Sequence, residues 1–120
     1  PLTGAVIVTT PQDVALVDAR KGLAMFHEVR VPILGIVENM SYFTGDDGKR
    51  YELFGHGGGE RLAAMAGVPF LGGLPIDPRV AVCGDSGEPI VSKHPDSPVS
   101  RAYLDLAGSV ARQLAALDEG

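Results

Sequence analysis

Polar residues that could bind a small molecule follow a short apolar run in the chain. The run is Ile33–Val37, and Glu38-Asn39-Met40-Ser41 come directly after it. An unbroken apolar run of this length is typical of a strand buried on both faces of a parallel sheet. Ligands bind such sheets just beyond the carboxyl ends of the strands. A carboxamide both donates and accepts hydrogen bonds, which matches a purine edge, so Asn39 is a candidate nucleotide-binding residue. The alternative is that Asn39 only satisfies the backbone of a turn.

A proline-rich turn is the second candidate. The apolar segment Val68–Leu74 predicts another buried strand, and Pro75-Ile76-Asp77-Pro78 follows it as a rigid turn. Because parallel strands end at the same edge of a sheet, we expect this turn to lie at the same edge as Asn39.

Other residues could also take part in binding or catalysis, but the sequence supports these roles less strongly. His56 lies within Gly55–Gly59, and a glycine-rich loop before a helix can hold an anion. The loop lacks the Gly-Lys-Ser/Thr ending of a phosphate-binding loop, and no Gly-x-Ser-x-Gly nucleophile motif occurs. We therefore predict a close backbone approach between the hairpin and the helix there, while a role for His56 stays open. Asp46 and Asp47 lack the spacing of a calcium loop and predict a solvated turn. No catalytic residue and no metal site is assigned.

Size and composition limit the partners. With 120 residues we expect one domain, residues 1–120, and the net charge of −5 argues against nucleic-acid and anionic-membrane surfaces. Cys83 is the single cysteine, so no internal disulfide can form and a cytoplasmic location is expected. No apolar stretch approaches the ~20 residues of a membrane span.

The elements that would position these residues alternate between strand and helix. Gly4–Thr10 reads as a buried strand, and Thr10-Pro11-Gln12-Asp13 predicts a helix with Thr10 as N-cap and Pro11 first. That helix should end before Val31-Pro32, which gives a strand–helix–strand unit with parallel strands.

The second half of the chain predicts a hairpin and further helices. A hairpin of about residues 42–54 should project from the sheet, because turn residues separate two β-prone segments. A helix over Glu60–Ala66 should end at Gly67. The last helix starts at Ser97-Pro98, and its predicted buried stripe comprises Tyr103, Leu106, Val110, Leu114 and Leu117. The expected fold class is α/β, a parallel sheet flanked by helices.

Three longer segments resemble one known family. They are Val37–Phe43, Leu53–Ala63 and Val68–Pro78, and Gly4–Asp13 also fits. In this order they resemble the C-terminal half of the Mrp/ApbC iron–sulfur cluster carrier ATPases, within the MinD/ParA-like P-loop NTPases. The resemblance covers essentially the whole chain.

The resemblance carries expectations about function. It implies that the fold is part of a P-loop NTPase whose full-length form binds ATP and Mg. It implies that Asn39 recognises the edge of the adenine base and that Pro75, Ile76 and Asp77 form a wall of the base-binding site. A homodimer formed through the hairpin and iron–sulfur client proteins are also implied.

Two departures from the family pattern change these expectations. The phosphate-binding loop and the Walker B acid are absent from this chain, so we predict that the chain alone does not hydrolyse ATP. The Cys-x-x-Cys pair of many members corresponds to Gly45 and Gly48, which have no side chain to ligate iron. A 4Fe–4S cluster held in that form is therefore not expected. A non-catalytic adaptor domain derived from the family is the alternative function. We also expect the chain alone to expose an apolar sheet edge, and either to self-associate or to be only marginally stable.

Overall fold

A parallel sheet forms the centre of the computed structural model, which describes residues 2–119, with Glu119 described by its backbone alone. The parallel strands lie in the order β1, β2, β4, and β3 pairs antiparallel with the end of β2. The strands are β1 Ala5–Thr9, β2 Ile33–Thr44, β3 Arg50–Tyr51 and β4 Phe70–Pro75. The helices are α1 Asp13–Glu28, α2 Gly58–Ala66, α3 Pro78–Asp85, α4 Ile90–Lys93 and α5 Pro98–Glu119.

The central strand is β2, as the apolar run predicted. Ile36 and Val37 are 0% and 1% exposed, so both faces of this strand are covered. Gly35 is required here, because a Cβ on it would lie 2.6 Å from the carbonyl oxygen of Pro69 and its φ is +155°. The predicted buried strand and its parallel pairing with both neighbours are confirmed.

Two apolar layers cover the sheet. On one face α1 and α2 pack against β1 and β2, and the buried side chains are Ile7, Ala19, Leu23, Ile36, Leu62 and Ala63. On the other face α5 covers Val37, Leu71 and Leu74. A third cluster of Cys83, Ile90 and Val99 fixes α3 and α4 to the start of α5.

The predicted start of the first helix is wrong. The helix begins at Asp13, and Gln12 is the N-cap without a capping side chain. The carbonyl oxygen of Gln12 accepts the first hydrogen bonds of the helix, from the N–H groups of Ala15 and Leu16. Thr10 therefore does not cap the helix, and its carbonyl oxygen instead accepts a hydrogen bond from the Thr9 hydroxyl at 3.0 Å.

Two burial predictions also need correction. Val8 in β1 is 61% exposed, because β1 is bordered by β2 alone within the described residues. Leu114 and Leu117 are 38% and 40% exposed, because the part of α5 that packs on the sheet ends at Val110.

The remaining elements follow their predictions closely. The hairpin forms, with Phe43 opposite Tyr51 and Thr44 opposite Arg50, but its second arm has only two paired residues. The second helix begins at Gly58, two residues before the predicted start, and Gly67 ends it in the left-handed conformation. Within residues 2–119, no helix combines the length and apolar character needed to cross a membrane.

Candidate functional site

A bulge interrupts the central strand at the carboxyl edge of the sheet. Glu38 pairs with Gly73 and Tyr42 pairs with Pro75, so Asn39, Met40 and Ser41 lie opposite Leu74 alone. Extra residues in one strand are forced out of the ladder and change the direction of their side chains. Met40 accordingly adopts a left-handed backbone with φ of 53°.

The bulge orients the Asn39 side chain. Its Oδ1 accepts a hydrogen bond from the Met40 N–H at 2.9 Å. An amide oxygen has two lone pairs and the amide nitrogen two N–H groups, so the carboxamide can still accept and donate. Asn39 is half-buried and lines an open cavity of about 460 Å³ between β1 and α1, together with Thr9, Thr10 and Asp18.

The Pro75-Ile76-Asp77 turn lies at the neighbouring strand end. The N–H of Ile76 donates to the carbonyl oxygen of Tyr42 at 2.7 Å, which ties the turn to β2 three residues after Asn39. The turn lines a separate cavity of about 340 Å³ with the end of β2 and the start of α5. The structure thus places both predicted segments beyond the Glu38–Gly73 pair, but it does not bring them into one cavity.

Glu38 is a site residue that sequence reasoning did not single out. It is 4% exposed, its Oε1 accepts the N–H of Gly59 at 2.9 Å, and its Oε2 accepts the Ser41 hydroxyl at 2.5 Å. Gly59 belongs to the first turn of α2, whose backbone N–H groups have no partner within the helix. Glu38 therefore caps a helix 21 residues further along the chain. The available signal was an acid directly after a buried run, together with glycines before a helix.

A close approach occurs at the glycine-rich loop, but α2 and its preceding loop approach the central strand and Pro11, whereas the prediction placed the approach between the hairpin and the helix. A Cβ on Gly59 would lie 3.0 Å from the Cβ of Glu38, and a Cβ on Gly58 would lie 3.1 Å from the carbonyl oxygen of Pro11. His56 is exposed and its ring pairs with the Glu52 carboxylate. The Arg61 guanidinium donates to the His56 carbonyl oxygen at 2.6 Å.

A second carboxylate caps a helix locally. The Asp77 carboxylate accepts the N–H of Arg79 at 2.9 Å at the start of α3 and pairs with the Arg79 guanidinium at 2.7 Å. The hydrogen bond from the Arg79 side chain lowers the pKa of Asp77 below its ordinary value, against a smaller opposing effect of burial.

The Asp47 carboxylate fixes the hairpin tip, at the positions where the resemblance to the family implies a cysteine pair. The Asp47 carboxylate accepts the Tyr51 hydroxyl and the Lys49 N–H, and the bond to Tyr51 lowers the pKa of Asp47. A Cβ on Gly45 would lie 2.9 Å from both Asp47 and Tyr51, and Gly48 has φ of +78°. Cys83 is buried among apolar side chains. In the described part of the chain, no three His, Cys, Asp or Glu side chains are placed to hold a metal ion.

Comparison with solved structures defines the class of protein. The cell division ATPase MinD of Pyrococcus furiosus matches 92% of this chain and 43% of its own, with a TM-score of 0.70 and 25% identity. A nucleotide-binding protein of Archaeoglobus fulgidus, solved in complex with ADP, matches 71% of this chain and 35% of its own, with a TM-score of 0.61 and 38% identity. The expected fold class is confirmed: the chain has the MinD-like P-loop NTPase architecture.

The family follows from the sequence match. The ParA family model described as "NUBPL iron-transfer P-loop NTPase" matches residues 1–111, and the chain therefore belongs to that family. An iron–sulfur cluster carrier protein of Aquifex aeolicus is 53% identical over 107 residues, which is 88% of this chain. The chain spans 29% of the length of that relative.

Proposed function

We propose that this chain is the C-terminal part of an ATP-binding iron–sulfur cluster carrier and supplies the residues that contact the adenine base. The observation that carries the proposal is the Asn39 carboxamide, oriented by the Met40 N–H at the carboxyl edge of the sheet. Its free donor and acceptor positions match the exocyclic amino group and a ring nitrogen of adenine. In open α/β folds this edge is where ligands bind.

The proline-rich turn would form the wall of the base site. Pro75 ends β4, which pairs with β2 on either side of Asn39, and Ile76 and Asp77 follow it. The hydrogen bond from the Ile76 N–H to the Tyr42 carbonyl oxygen ties this turn to β2. The cavity beside Asn39 is open along β1, whose Val8 is 61% exposed. The phosphate-binding half of the full-length protein, with its Mg ion, would cover this edge and complete the site, since this chain holds no phosphate loop.

The hairpin is proposed as the contact surface for a second copy of the protein. Met40, Tyr51, Leu53 and Phe54 are 42–59% exposed apolar side chains in or beside the hairpin. Adjacent apolar residues that remain exposed are typical of protein interfaces. The iron–sulfur cluster would be cargo. Glycines at positions 45 and 48 do not fit the familiar cysteine ligation, so a cluster in this protein would need other ligands.

Nucleotide binding tests the proposal. In the full-length protein, Asn39→Ala should weaken binding of a non-hydrolysable ATP analogue about tenfold, as expected for lost hydrogen bonds of roughly 1.4 kcal/mol. Gln113→Ala is the matched control, since it removes a carboxamide from the later turns of α5 and should leave the affinity unchanged. Equal affinities for Asn39→Ala and the unsubstituted protein would contradict the assignment.

A non-catalytic adaptor is the second candidate, favoured by the exposed hairpin residues and the missing cysteine pair. It requires the hairpin surface but no nucleotide. A full-length protein that dimerises and does not bind ATP would favour the adaptor. Loss of the dimer in Phe54→Ser, measured by sedimentation, would support the interface under either function.

A further inference from the structure

We propose that Glu38 is a positioning residue for Asn39. Its buried carboxylate holds the bulge of β2 in the shape that presents the Asn39 carboxamide to the nucleotide base. This inference rests on the proposed function, because it takes Asn39 as the residue that reads adenine.

The bulge needs an external restraint. Met40 has a positive φ, an unfavourable conformation for a residue with a side chain, and Asn39 and Ser41 lie outside the regular ladder. Such backbone persists only where the surroundings over-determine it. Glu38 supplies two restraints: one oxygen holds Ser41 inside the bulge at 2.5 Å, and the other holds Gly59 of α2 at 2.9 Å.

Close packing keeps Glu38 and Ser41 in place. A Cβ on Gly59 would lie 3.0 Å from the Glu38 Cβ, and a Cβ on Gly73 would lie 2.9 Å from the Ser41 hydroxyl. Helix α2 and strand β4 can therefore pack this closely against Glu38 and Ser41 because Gly59 and Gly73 have no side chain.

The restraint reaches Asn39 through the Met40 peptide. The Asn39 carboxamide takes its orientation from the Met40 N–H, and Met40 lies between Asn39 and the restrained Ser41. If Glu38 were removed, the Met40 peptide could rotate toward ordinary strand geometry. The carboxamide would then lose its fixed direction, and base recognition would weaken while phosphate binding, in the other half of the protein, would not.

Base selectivity separates this role from simple capping of α2. In the full-length protein, dissociation constants are measured for non-hydrolysable adenosine and inosine triphosphates, because inosine lacks the exocyclic amino group. The variants are Glu38→Ala, Glu38→Gln, Ser41→Ala and Asn39→Ala. Glu60→Ala is the matched control, since it removes an exposed carboxylate from the next residue of α2.

We expect Asn39→Ala to reduce the adenosine preference to about one. Glu38→Ala should reduce the preference about fivefold and Ser41→Ala about two- to threefold, with inosine affinity unchanged, because lost hydrogen bonds to a carboxylate are substantial. Glu38→Gln should retain the preference within about twofold, since its amide oxygen still accepts from Gly59 and its amino group can donate to Ser41. Glu60→Ala should change neither affinity.

Each result decides one proposal. Asn39→Ala with an unchanged preference would overturn adenine recognition and, with it, the role of Glu38. A reduced preference in Asn39→Ala, with full preference in Glu38→Ala and Ser41→Ala, would overturn the positioning role alone. Equal weakening of both nucleotides in Glu38→Ala would show that Glu38 only stabilises α2. If Glu38→Ala does not fold, Ser41→Ala decides the question, because it removes one hydroxyl.

Discussion

Two carboxylates in this chain cap helices in opposite ways. Asp77 caps α3 from the preceding residue, lies near the surface and pairs with the Arg79 guanidinium. Glu38 caps α2 from strand β2, is 4% exposed and accepts hydrogen bonds from two neutral donors, the Gly59 N–H and the Ser41 hydroxyl. The first cap organises one turn of helix. The second joins a strand, a helix and the bulge that carries Asn39, so its loss should affect more of the molecule.

The largest difference is expected between alanine substitutions of these two acids. Glu38→Ala should lower the free energy of unfolding by about 2–3 kcal/mol, because it leaves a buried N–H unsatisfied. Asp77→Ala should cost about 1 kcal/mol, the usual value for a lost N-cap. Urea unfolding of the full-length protein measures both. An equal loss of unfolding free energy in the two variants would mean that Glu38 stabilises no more of the molecule than Asp77 does.

A pair of glycine substitutions tests the close packing around Glu38. Gly59→Ala should destabilise the protein by about 1–2 kcal/mol, because the new Cβ would lie 3.0 Å from Glu38 and 3.1 Å from Phe70. Gly84→Ala is the control: it lies in α3, where the new methyl group meets nothing within 4 Å. That substitution should stabilise the helix by about 0.5–1 kcal/mol. A neutral or stabilising Gly59→Ala would contradict the tight fit of α2 against β2.

The smallest effect is the pH dependence of the Asp77 cap. The pKa of Asp77 is lowered in the folded protein, so its charged form contributes stability above the unfolded pKa of about 3.9. This contribution is lost as the pH falls through the folded pKa. Asp77→Asn keeps a capping oxygen but loses the charge, so the stability difference from the unsubstituted protein should be constant above about pH 5 and shrink below about pH 4. A stability difference between the two proteins that grows as the pH falls would contradict a lowered pKa of Asp77.

Most local features of the fold could be predicted from the sequence because their causes are local, although the N-cap of α1 is Gln12 and not Thr10. The apolar run Ile33–Val37 lies in a buried strand, as predicted. A glycine ends α2, and the hairpin turn joins two paired strands. The features that depend on distant contacts could not. Val8 is exposed because β1 has β2 as its single neighbour among the strands that the structure describes, and Glu38 caps a helix 21 residues away.

In the candidate site, too, local features could be predicted from the sequence and features that depend on distant contacts could not. The position of Asn39 directly after the buried residues Ile33–Val37 could be predicted from the pattern, although the strand itself continues to Thr44. The bulge beside its carboxamide could not, because it appears only in the pairing of β2 with β4, where Asn39, Met40 and Ser41 lie opposite Leu74. The assignment of Asn39, Pro75, Ile76 and Asp77 to a base site stays a prediction.

Coordinates of the full-length protein with Mg and a non-hydrolysable ATP analogue would show whether Asn39 contacts the base. We expect the Asn39 carboxamide within about 3 Å of the adenine amino group, with Glu38 still bound to Gly59 and Ser41 and the Pro75–Asp77 turn against the base. An adenine ring bound away from Asn39, with the bulge unchanged, would contradict it.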